Sequence, residues 1–219
     1  MLCIIQTRMS SGRLPGKMLM NICGKSILER VIDRVSQSRK VTKIIVATSD
    51  QDDDDVIASF CIKKGVEYFR GDLNNVANRF FQVVMNEKEA SFIRINGDSP
   101  LIDHEIIDLA IDYFNISNCD IVTNVLPRTF PKGQSVEVVL TRTFDKLINS
   151  GLDAEQKEHV TKKYYDSPDN YRMVCFTSGG SYNNINMCID DSSDKLKLEK
   201  VIKKTGNKDL KWKDLCHYF

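Results

Sequence analysis

The chain has 219 residues, of which 42% are hydrophobic and 28% are charged, and its formal net charge is +1. This length can bury a full core without disulfides, and the near-neutral charge argues against a nucleic-acid binder that relies on a broad basic face. No apolar run approaches the length of a transmembrane helix. We therefore expect a single domain over residues 1–219 that binds neither nucleic acid nor membrane.

The first predicted element is an apolar strand over 2–6, which opens into a Gly/Ser-rich cationic loop. Residues 1–28 contain no Asp or Glu but four cations, Arg8, Arg13, Lys17 and Lys25. Loop N–H groups and a helix N-terminus bind polyphosphate well when Arg and Lys neutralise its charge. A Walker A loop is excluded because residues 12–17 are one residue too short and Met18 replaces the metal-binding hydroxyl. The pattern predicts a nucleoside triphosphate site of another kind.

Short apolar strands then alternate with amphipathic helices. Further strands are predicted over 43–48, 66–69 and 91–95, and the helices between them carry apolar residues at helical spacing. This alternation predicts an α/β fold in which helices cover both faces of a mainly parallel sheet. Ligands of such sheets gather beyond the carboxyl ends of the strands, where the cationic loop and residues 48–50 and 96–98 fall.

The pattern changes after residue 120. Extended segments are predicted over 121–125, 135–140, 172–176 and 184–189. Between them lie one helical stretch with Phe144 and Leu147 and another that contains His159, and a charged helix over 192–204 follows. We interpret residues 120–185, approximately, as an insertion on the edge of the sheet.

Two carboxylates stand out as candidate metal ligands. Asp98 follows the strand over 91–95, and Asp190 follows the apolar run that ends at Ile189. Magnesium prefers one or two carboxylates together with phosphate oxygens and water, so one Asp from each segment suits it. Helix capping is the competing interpretation. We expect Asp103 to fill that role near Asp98, and one of Ser192, Ser193 or Asp194 to fill it near Asp190.

A run of four acids, residues 52–55, has two interpretations. It matches the Asp-x-Asp pattern of metal-dependent glycosyltransferases, which bind nucleotide sugars on a similar sheet. It also opens a helix directly after the second strand, where acids interact favourably with the helix dipole. We favour the second interpretation.

Seven cysteines are scattered along the chain and never spaced as Cys-x-x-Cys. Their odd number and their apolar surroundings are typical of the reduced thiols of a cytoplasmic protein, and not of a disulfide framework or a zinc site.

Several long motifs, in order along nearly the whole chain, resemble the sugar-activating cytidylyltransferases, which include the 3-deoxy-manno-octulosonate and acylneuraminate enzymes. The set is most similar to the branch named for spore-coat polysaccharide synthesis. The motifs are Arg8-Met9-Ser10-Ser11-Gly12-Arg13-Leu14-Pro15-Gly16-Lys17, Ala47-Thr48-Ser49-Asp50, Phe69-Arg70-Gly71, Arg94-Ile95-Asn96-Gly97-Asp98-Ser99-Pro100, Thr123-Asn124-Val125-Leu126-Pro127-Arg128-Thr129-Phe130-Pro131 and Glu158-His159-Val160-Thr161.

The resemblance implies magnesium-dependent transfer of CMP from CTP to a sugar-type acceptor, in a Rossmann-like nucleotidyltransferase fold whose edge insertion builds a homodimer. The residues that match the family's catalytic and metal positions are Arg13, Lys17, Asp98 and Asp190, the last two as metal ligands. Those that match around the nucleotide are Gln6, Arg8, Ser11, Arg13, Lys17, Thr48, Ser49, Arg70, Asn96 and Gly97. Those on the acceptor side are Asn124, Arg128, Glu137 and His159.

Two departures from the family pattern leave questions open. Ser192 and Ser193 replace the Pro and Glu of the late acidic element, so Asp191 competes with Asp190 as the second metal ligand. Ser135 stands where the branch usually has Asp, which leaves the acceptor open between a sugar acid and a phosphorylated sugar or polyol. A phosphate loop does not select a base, so use of another nucleoside triphosphate remains an alternative, as does a glycosyltransferase-like protein that binds a nucleotide sugar.

Overall fold

The computed structural model describes residues 1–206 and 209–219. The strands, in chain order, are β1 (Leu2–Gln6), β2 (Asn21–Ile22), β3 (Lys25–Ser26), β4 (Lys43–Ser49), β5 (Glu67–Gly71), β6 (Ser91–Asn96), β7 (Ile121–Thr123), β8 (Glu137–Leu140) and β9 (Met173–Cys175). The α-helices are α1 (Ile27–Val35), α2 (Asp55–Lys64), α3 (Val76–Glu87), α4 (His104–Ile116), α5 (Thr141–Asn149), α6 (Ala154–Glu158), α7 (Lys162–Asp166), α8 (Ser192–Thr205) and α9 (Trp212–Leu215).

One sheet organises the described residues, with the strand order β5-β4-β1-β6-β8-β7-β9. The strands β5, β4, β1 and β6 run parallel to their neighbours, whereas β8 is antiparallel to both β6 and β7, and β9 is parallel to β7. The short strands β2 and β3 pair separately. The predicted α/β fold with a mainly parallel sheet is confirmed.

Strand β1 is central because its side chains are apolar on both faces. Leu2, Cys3, Ile4 and Ile5 are fully buried. Cys3 and Ile5 belong to a core that also contains α1 and α4 residues, whereas Leu2 and Ile4 belong to a second core with α3 and α5 residues. Helices thus cover both faces of the sheet, which gives the predicted three layers.

The sheet's antiparallel edge comes from the second half of the chain. The region 120–185 contributes β7, β8 and β9, together with α5, α6 and α7. The predicted strand over 184–189 is wrong, because these residues make only a single bridge, between Lys132 and Asn186. The segment ends with Ile189 N–H donating to the Asp98 carbonyl at 3.0 Å. That bond brings the following residue, Asp190, to the end of β6.

Asp side chains cap the N-termini of the two helices that follow Asp98 and Asp190, α4 and α8. Asp103 caps α4 by accepting from Glu105 N, as predicted. The cap of α8 is Asp191, not Ser192, Ser193 or Asp194, because its Oδ1 accepts from Ser193 N at 2.8 Å and Asp194 N at 3.1 Å. Asp194 completes a capping box by accepting from Asp191 N at 3.3 Å.

The seven cysteines, all within the described residues, are free thiols. Across 1–206 and 209–219, no helix is long and apolar enough to cross a membrane.

Candidate active site

A cleft of about 400 Å³ opens at the carboxyl ends of β1 and β6, where the sequence predicted ligand binding. Its lining contains cations, acids and amides from the cationic loop, from β6 and from three other segments: Gln6, Thr7, Arg8, Ser10, Ser11, Gly12, Arg13, Lys17, Met18, Arg79, Asn96, Gly97, Asp98, His159 and Asp190. The structure therefore brings together ten of the predicted site residues.

The cationic loop folds around the backbone of Met9. The Met9 carbonyl accepts from Ser11 N at 2.9 Å and from Gly16 N at 3.0 Å. Gly16 has a φ of +74°, a left-handed conformation that suits glycine, and it precedes a single 3₁₀ turn, Lys17–Leu19. This turn directs Lys17 back beneath the loop, where its side chain is buried.

Gly97 allows the end of β6 to lie against the end of β1. Its N–H donates to the Gln6 carbonyl at 2.8 Å. A Cβ atom at this position would lie 2.8 Å from the same oxygen, so a larger residue would push the two strand ends apart. The glycine thus holds Asp98 beside the cationic loop.

Four charged side chains meet at one end of the cleft. Lys17 Nζ donates to the Ile189 carbonyl at 2.6 Å and lies 3.4 Å from Asp98 Oδ2 and 3.5 Å from Asp190 Oδ1. Arg13 Nη2 lies 3.0 Å from Asp190 Oδ1. The two carboxylates therefore converge on one point although they come from distant parts of the chain.

This donor set fits magnesium. Asp98 and Asp190, which both lie near Lys17 Nζ, would supply hard oxygen ligands, and phosphate oxygens and water would supply the others. Among the described residues no group of three or more His, Cys, Asp or Glu side chains could hold a metal ion by itself. Such a pair matches a metal that is bound together with the nucleotide.

Asp190 and Asp191, which the sequence left as competing ligands, have different environments. The Asp190 carboxylate faces Lys17 and Arg13. The Asp191 carboxylate instead accepts hydrogen bonds from the first N–H groups of α8. Those helix N–H groups hold the pKa of Asp191 below its usual value. The geometry favours Asp190 as the second ligand.

We expected Thr48, Ser49 and Arg70 near the nucleoside, but they are not among the residues that line the cleft. Thr48 and Ser49 are buried. The Arg70 side chain donates to the Ser49 carbonyl at 3.0 Å and to the Gln51 carbonyl at 2.9 Å.

The acidic run over 52–55 has an internal role. Asp54 is buried and accepts from Met9 N at 2.6 Å and from Ser49 N at 2.9 Å, and it also accepts from the Ser49 hydroxyl. It therefore ties the cationic loop to the end of β4. Asp52, Asp53 and Asp55 are exposed around the start of α2, as the helix interpretation predicted.

A second cleft, of about 370 Å³, adjoins the first and shares Asn96 and His159 with it. Its lining includes the buried carboxylate of Glu137, which accepts from Arg94 Nη1 at 2.5 Å, from Thr161 at 2.8 Å and from the Tyr165 hydroxyl. Burial and the adjacent Glu137 raise the pKa of Tyr165 far above its usual value, so its hydroxyl remains a donor.

The other residues predicted on the acceptor side are divided between the cleft and the interior. Arg128 lines the second cleft and donates to Ser135 Oγ at 3.0 Å. His159 lies just beyond α6, at the boundary of the two clefts. Asn124 does not reach either cleft, because its buried amide donates to the Gln134 carbonyl at 2.7 Å and accepts from Val136 N at 2.9 Å.

Sequence reasoning missed Arg79, which lines the first cleft from α3. Its neighbours on the helix, Val76, Phe80 and Val83, are buried. A cation on the apolar stripe of an amphipathic helix is the signal that would have identified it.

A further surface cleft, of about 240 Å³, lies between α1 and α8, and its lining contains neither Asp98 nor Asp190. Its charges are largely paired, since Lys25 lies 2.6 Å from Asp33 and Arg34 is bonded to Asp209. It offers no comparable cluster for phosphate.

Comparisons with known proteins agree with this geometry. A family model described as cytidylyltransferase matches residues 2–205. The spore coat polysaccharide biosynthesis protein SpsF of Bacillus subtilis is 31% identical, over 94% of this chain and 88% of its own length. A 3-deoxy-manno-octulosonate cytidylyltransferase of Syntrophotalea carbinolica is 32% identical over 49% of this chain and 42% of its own length. The solved structure of a cytidylyltransferase from Leptospira borgpetersenii superposes with a TM-score of 0.93 at 26% identity, covering 98% of this chain and 91% of that one.

Proposed function

Because the chain belongs to the cytidylyltransferase family, we propose that the cleft at the ends of β1 and β6 is where it transfers CMP from CTP to a sugar-type acceptor. Pyrophosphate is the other product, and the reaction serves polysaccharide biosynthesis. The observation that carries this assignment is the convergence of Lys17, Asp98 and Asp190 beside a cationic loop.

An acceptor oxygen attacks the α-phosphorus of CTP, and the bond from that phosphorus to the bridging β-phosphate oxygen breaks. Where the attacking group is a hydroxyl, its proton passes to water. Such transfer depends on in-line positioning and on neutralising the charge of the phosphates. Arg13 and Lys17 stabilise the negative charge that develops on the leaving pyrophosphate, and Arg8 holds the triphosphate near the start of the loop. Backbone N–H groups of the loop contribute further donors.

Asp98 and Asp190 hold magnesium in this proposal. Magnesium held there would neutralise phosphate charge and, for an acceptor that attacks through a hydroxyl, would lower the pKa of that hydroxyl. Lys17, which lies between the two carboxylates, is then placed to donate its hydrogen bonds to the phosphates.

The acceptor binds in the second cleft, in contact with Arg128 and His159. Glu137 supports this cleft and is not a proton acceptor in the reaction, because Arg94, Thr161 and Tyr165 already donate to its carboxylate. The acceptor is either a sugar acid or a phosphorylated sugar or polyol, since Arg128 would bind an anionic group of either kind.

The experiment that tests this function is pyrophosphate release, measured with CTP, UTP, GTP and ATP against a panel of sugar acids and phosphorylated polyols. We expect release with CTP and magnesium in the presence of one acceptor class. Transfer or hydrolysis of a nucleotide sugar, with no pyrophosphate from CTP under any condition, would contradict the proposal.

We also propose that the enzyme is a cytoplasmic homodimer in which the region 120–185 forms the contact. The support is the end of the sheet, where β9 pairs with β7 on one side and, within the described residues, with no strand on the other. Unpaired strand edges favour association with a second copy.

A further inference from the structure

Arg79 is a buried cation that the proposed mechanism does not use. It lies on α3, is 1% exposed and lines the first cleft. Its Cβ and Cγ atoms pack beneath Gly71 at the end of β5, where an added Cβ would lie 3.2 Å from Cγ. The side chain is therefore fixed in place by the strand above it.

The guanidinium of Arg79 is only partly hydrogen-bonded. Nη1 donates to the Asp72 carbonyl at 3.2 Å. Nε and Nη2 are both buried, and neither has a partner among the described residues. Burial lowers the pKa of Arg79 to about 10, so the group is still charged at neutral pH. Burying a charge whose donors are unmet is costly, which indicates that a ligand completes them.

The two unmet nitrogens form one edge of the guanidinium. Nε–H and Nη2–H point in the same direction and make a two-donor fork that matches two adjacent acceptors. The hydroxyl of Thr7, which lines the same cleft, is likewise buried without a partner in the described part of the chain. The cleft thus presents buried polar groups that suit a polar ligand with a paired acceptor edge.

Cytosine has such an edge, because its O2 and N3 atoms are adjacent acceptors. Uracil presents an acceptor at O2 but a donor at N3, which would face one of the two Arg79 donors. Two oxygens of a phosphate would also fit the fork. The charges that act on Arg79 argue against phosphate there, because they include three carboxylates, Asp54, Asp72 and Asp50, against the single cation Arg8.

We propose that Arg79 is the residue that selects the base, with Nε and Nη2 donating to O2 and N3 of cytosine and disfavouring uracil. This inference rests on the proposed function, since it assumes that the cleft binds CTP. The Lys17, Asp98 and Asp190 cluster then lies at the phosphate end of the cleft, and Arg79 lies at the base end.

The test is calorimetric binding of CTP, UTP and inorganic tripolyphosphate to the wild type, Arg79→Met and Arg79→Lys. A bidentate contact to a base is worth about tenfold to a hundredfold in discrimination, so we expect the CTP-over-UTP preference to fall by roughly that factor in both variants. Tripolyphosphate should bind all three proteins equally. Lysine keeps the charge but lacks the fork, so it should not restore the preference.

Thermal unfolding of the nucleotide-free proteins separates recognition from a structural role. Arg79→Met replaces an unsatisfied buried cation with an apolar side chain, so its melting temperature should equal or exceed that of the wild type. The matched control is Arg142→Gln, which removes a cation from the exposed face of α5 and should keep the wild-type base preference.

Three outcomes would overturn the inference. Retention of the CTP-over-UTP preference in Arg79→Met would do so while leaving the proposed function intact. Equal losses for CTP, UTP and tripolyphosphate would assign Arg79 to phosphate instead. A wild type that binds neither CTP nor UTP would refute both the inference and the proposed function.

Discussion

Lys17 holds together two carboxylates that would otherwise repel each other. Its ammonium lies within 3.5 Å of both Asp98 and Asp190, and its own side chain is only 7% exposed. A nucleotide that draws Lys17 toward its phosphates would leave the acids with an uncompensated pair of charges. In the proposed mechanism, that change would give the pair its affinity for a divalent ion.

Asp98→Asn and Asp190→Asn should each lower turnover by roughly a hundredfold to a thousandfold, because a neutral amide neither offsets the metal's charge nor fixes its position. The fold should be retained, since both side chains lie at the edge of the cleft. Steady-state pyrophosphate release at saturating magnesium, together with circular dichroism, measures both effects.

Asp191→Asn is the matched control for these variants. Asparagine is as good an N-cap as aspartate, so α8 should begin normally and turnover should remain close to that of the wild type. Near-normal turnover of Asp98→Asn would refute the metal assignment. A loss of turnover in Asp191→Asn equal to that in Asp190→Asn would instead indicate Asp191 as the second ligand.

At the residue scale, the sequence predicted the cleft's charged groups better than its neutral ones. Arg8, Arg13, Lys17 and Asp98 could be found because they follow strand ends in a chain of little net charge. Asn124 could not be placed, because its amide is used by the Gln134 and Val136 backbone, a tertiary contact that no local pattern encodes.

At the scale of elements, Asp54 connects the cationic loop to β4. Asp54→Ala leaves the Met9 and Ser49 N–H groups without their acceptor, so the free energy of unfolding should fall by about 2–4 kcal/mol. The KM for CTP should also rise, because the loop loses its anchor. Urea unfolding and initial rates measure the two effects. Asp53→Ala, at an exposed neighbour, should change neither, and an equal response of both variants would contradict this role.

Asp120 and Arg172 join the starts of β7 and β9. Burial raises the pKa of Asp120, but hydrogen bonds from Arg172 outweigh it and hold that pKa below its usual value. A depressed carboxyl pKa stabilises the fold at neutral pH, and this contribution is lost as the pH falls through the folded-state pKa.

Arg172→Gln should therefore lower the free energy of unfolding at neutral pH, and its difference from the wild type should shrink at an acidic pH below the folded-state pKa of Asp120, where that carboxyl is protonated. Denaturant unfolding at the two pH values measures this difference. A gap that is the same at both would show that the side chain contributes through packing alone.

Strands were predicted well where the apolar composition of the segment is enough to identify it as a strand. The four parallel strands are short apolar runs, and each was found within two residues of its observed bounds. The segment over 184–189 also contains several apolar residues, yet it forms one bridge, because its backbone bonds to Lys132 and Asp98 in the adjoining loops. Strand pairing needs a partner of matching register, and the sequence of one segment does not supply it.

At the scale of the whole molecule, a second copy would cover the free edge of β9. Light scattering should give the mass of a dimer at micromolar concentration. Cys175→Lys places a charge on that edge and should shift the equilibrium toward monomer, since lysine on an edge strand opposes pairing. An active wild-type monomer at the same concentration would refute the dimer.

The sheet reverses direction between β6 and β8, and this reversal separates the proposed nucleotide side from the proposed acceptor side. On the nucleotide side, the residues that line the cleft follow the carboxyl ends of parallel strands. Glu137, in contrast, is the first residue of its strand. Both kinds of terminus reach the same edge of the sheet, so the two clefts adjoin and share His159.

The separation of Asp98 and Asp190 along the chain also sets an order of completion during synthesis on the ribosome. The cationic loop, Arg79 and Asp98 all precede the antiparallel edge, and domains tend to fold as they emerge. Asp190 reaches its place only when Ile189 bonds to the Asp98 carbonyl. A nascent or truncated chain that lacks this segment would have the loop and one carboxylate but not the pair, so under the proposed mechanism it would not consume CTP before the rest of the enzyme has been made.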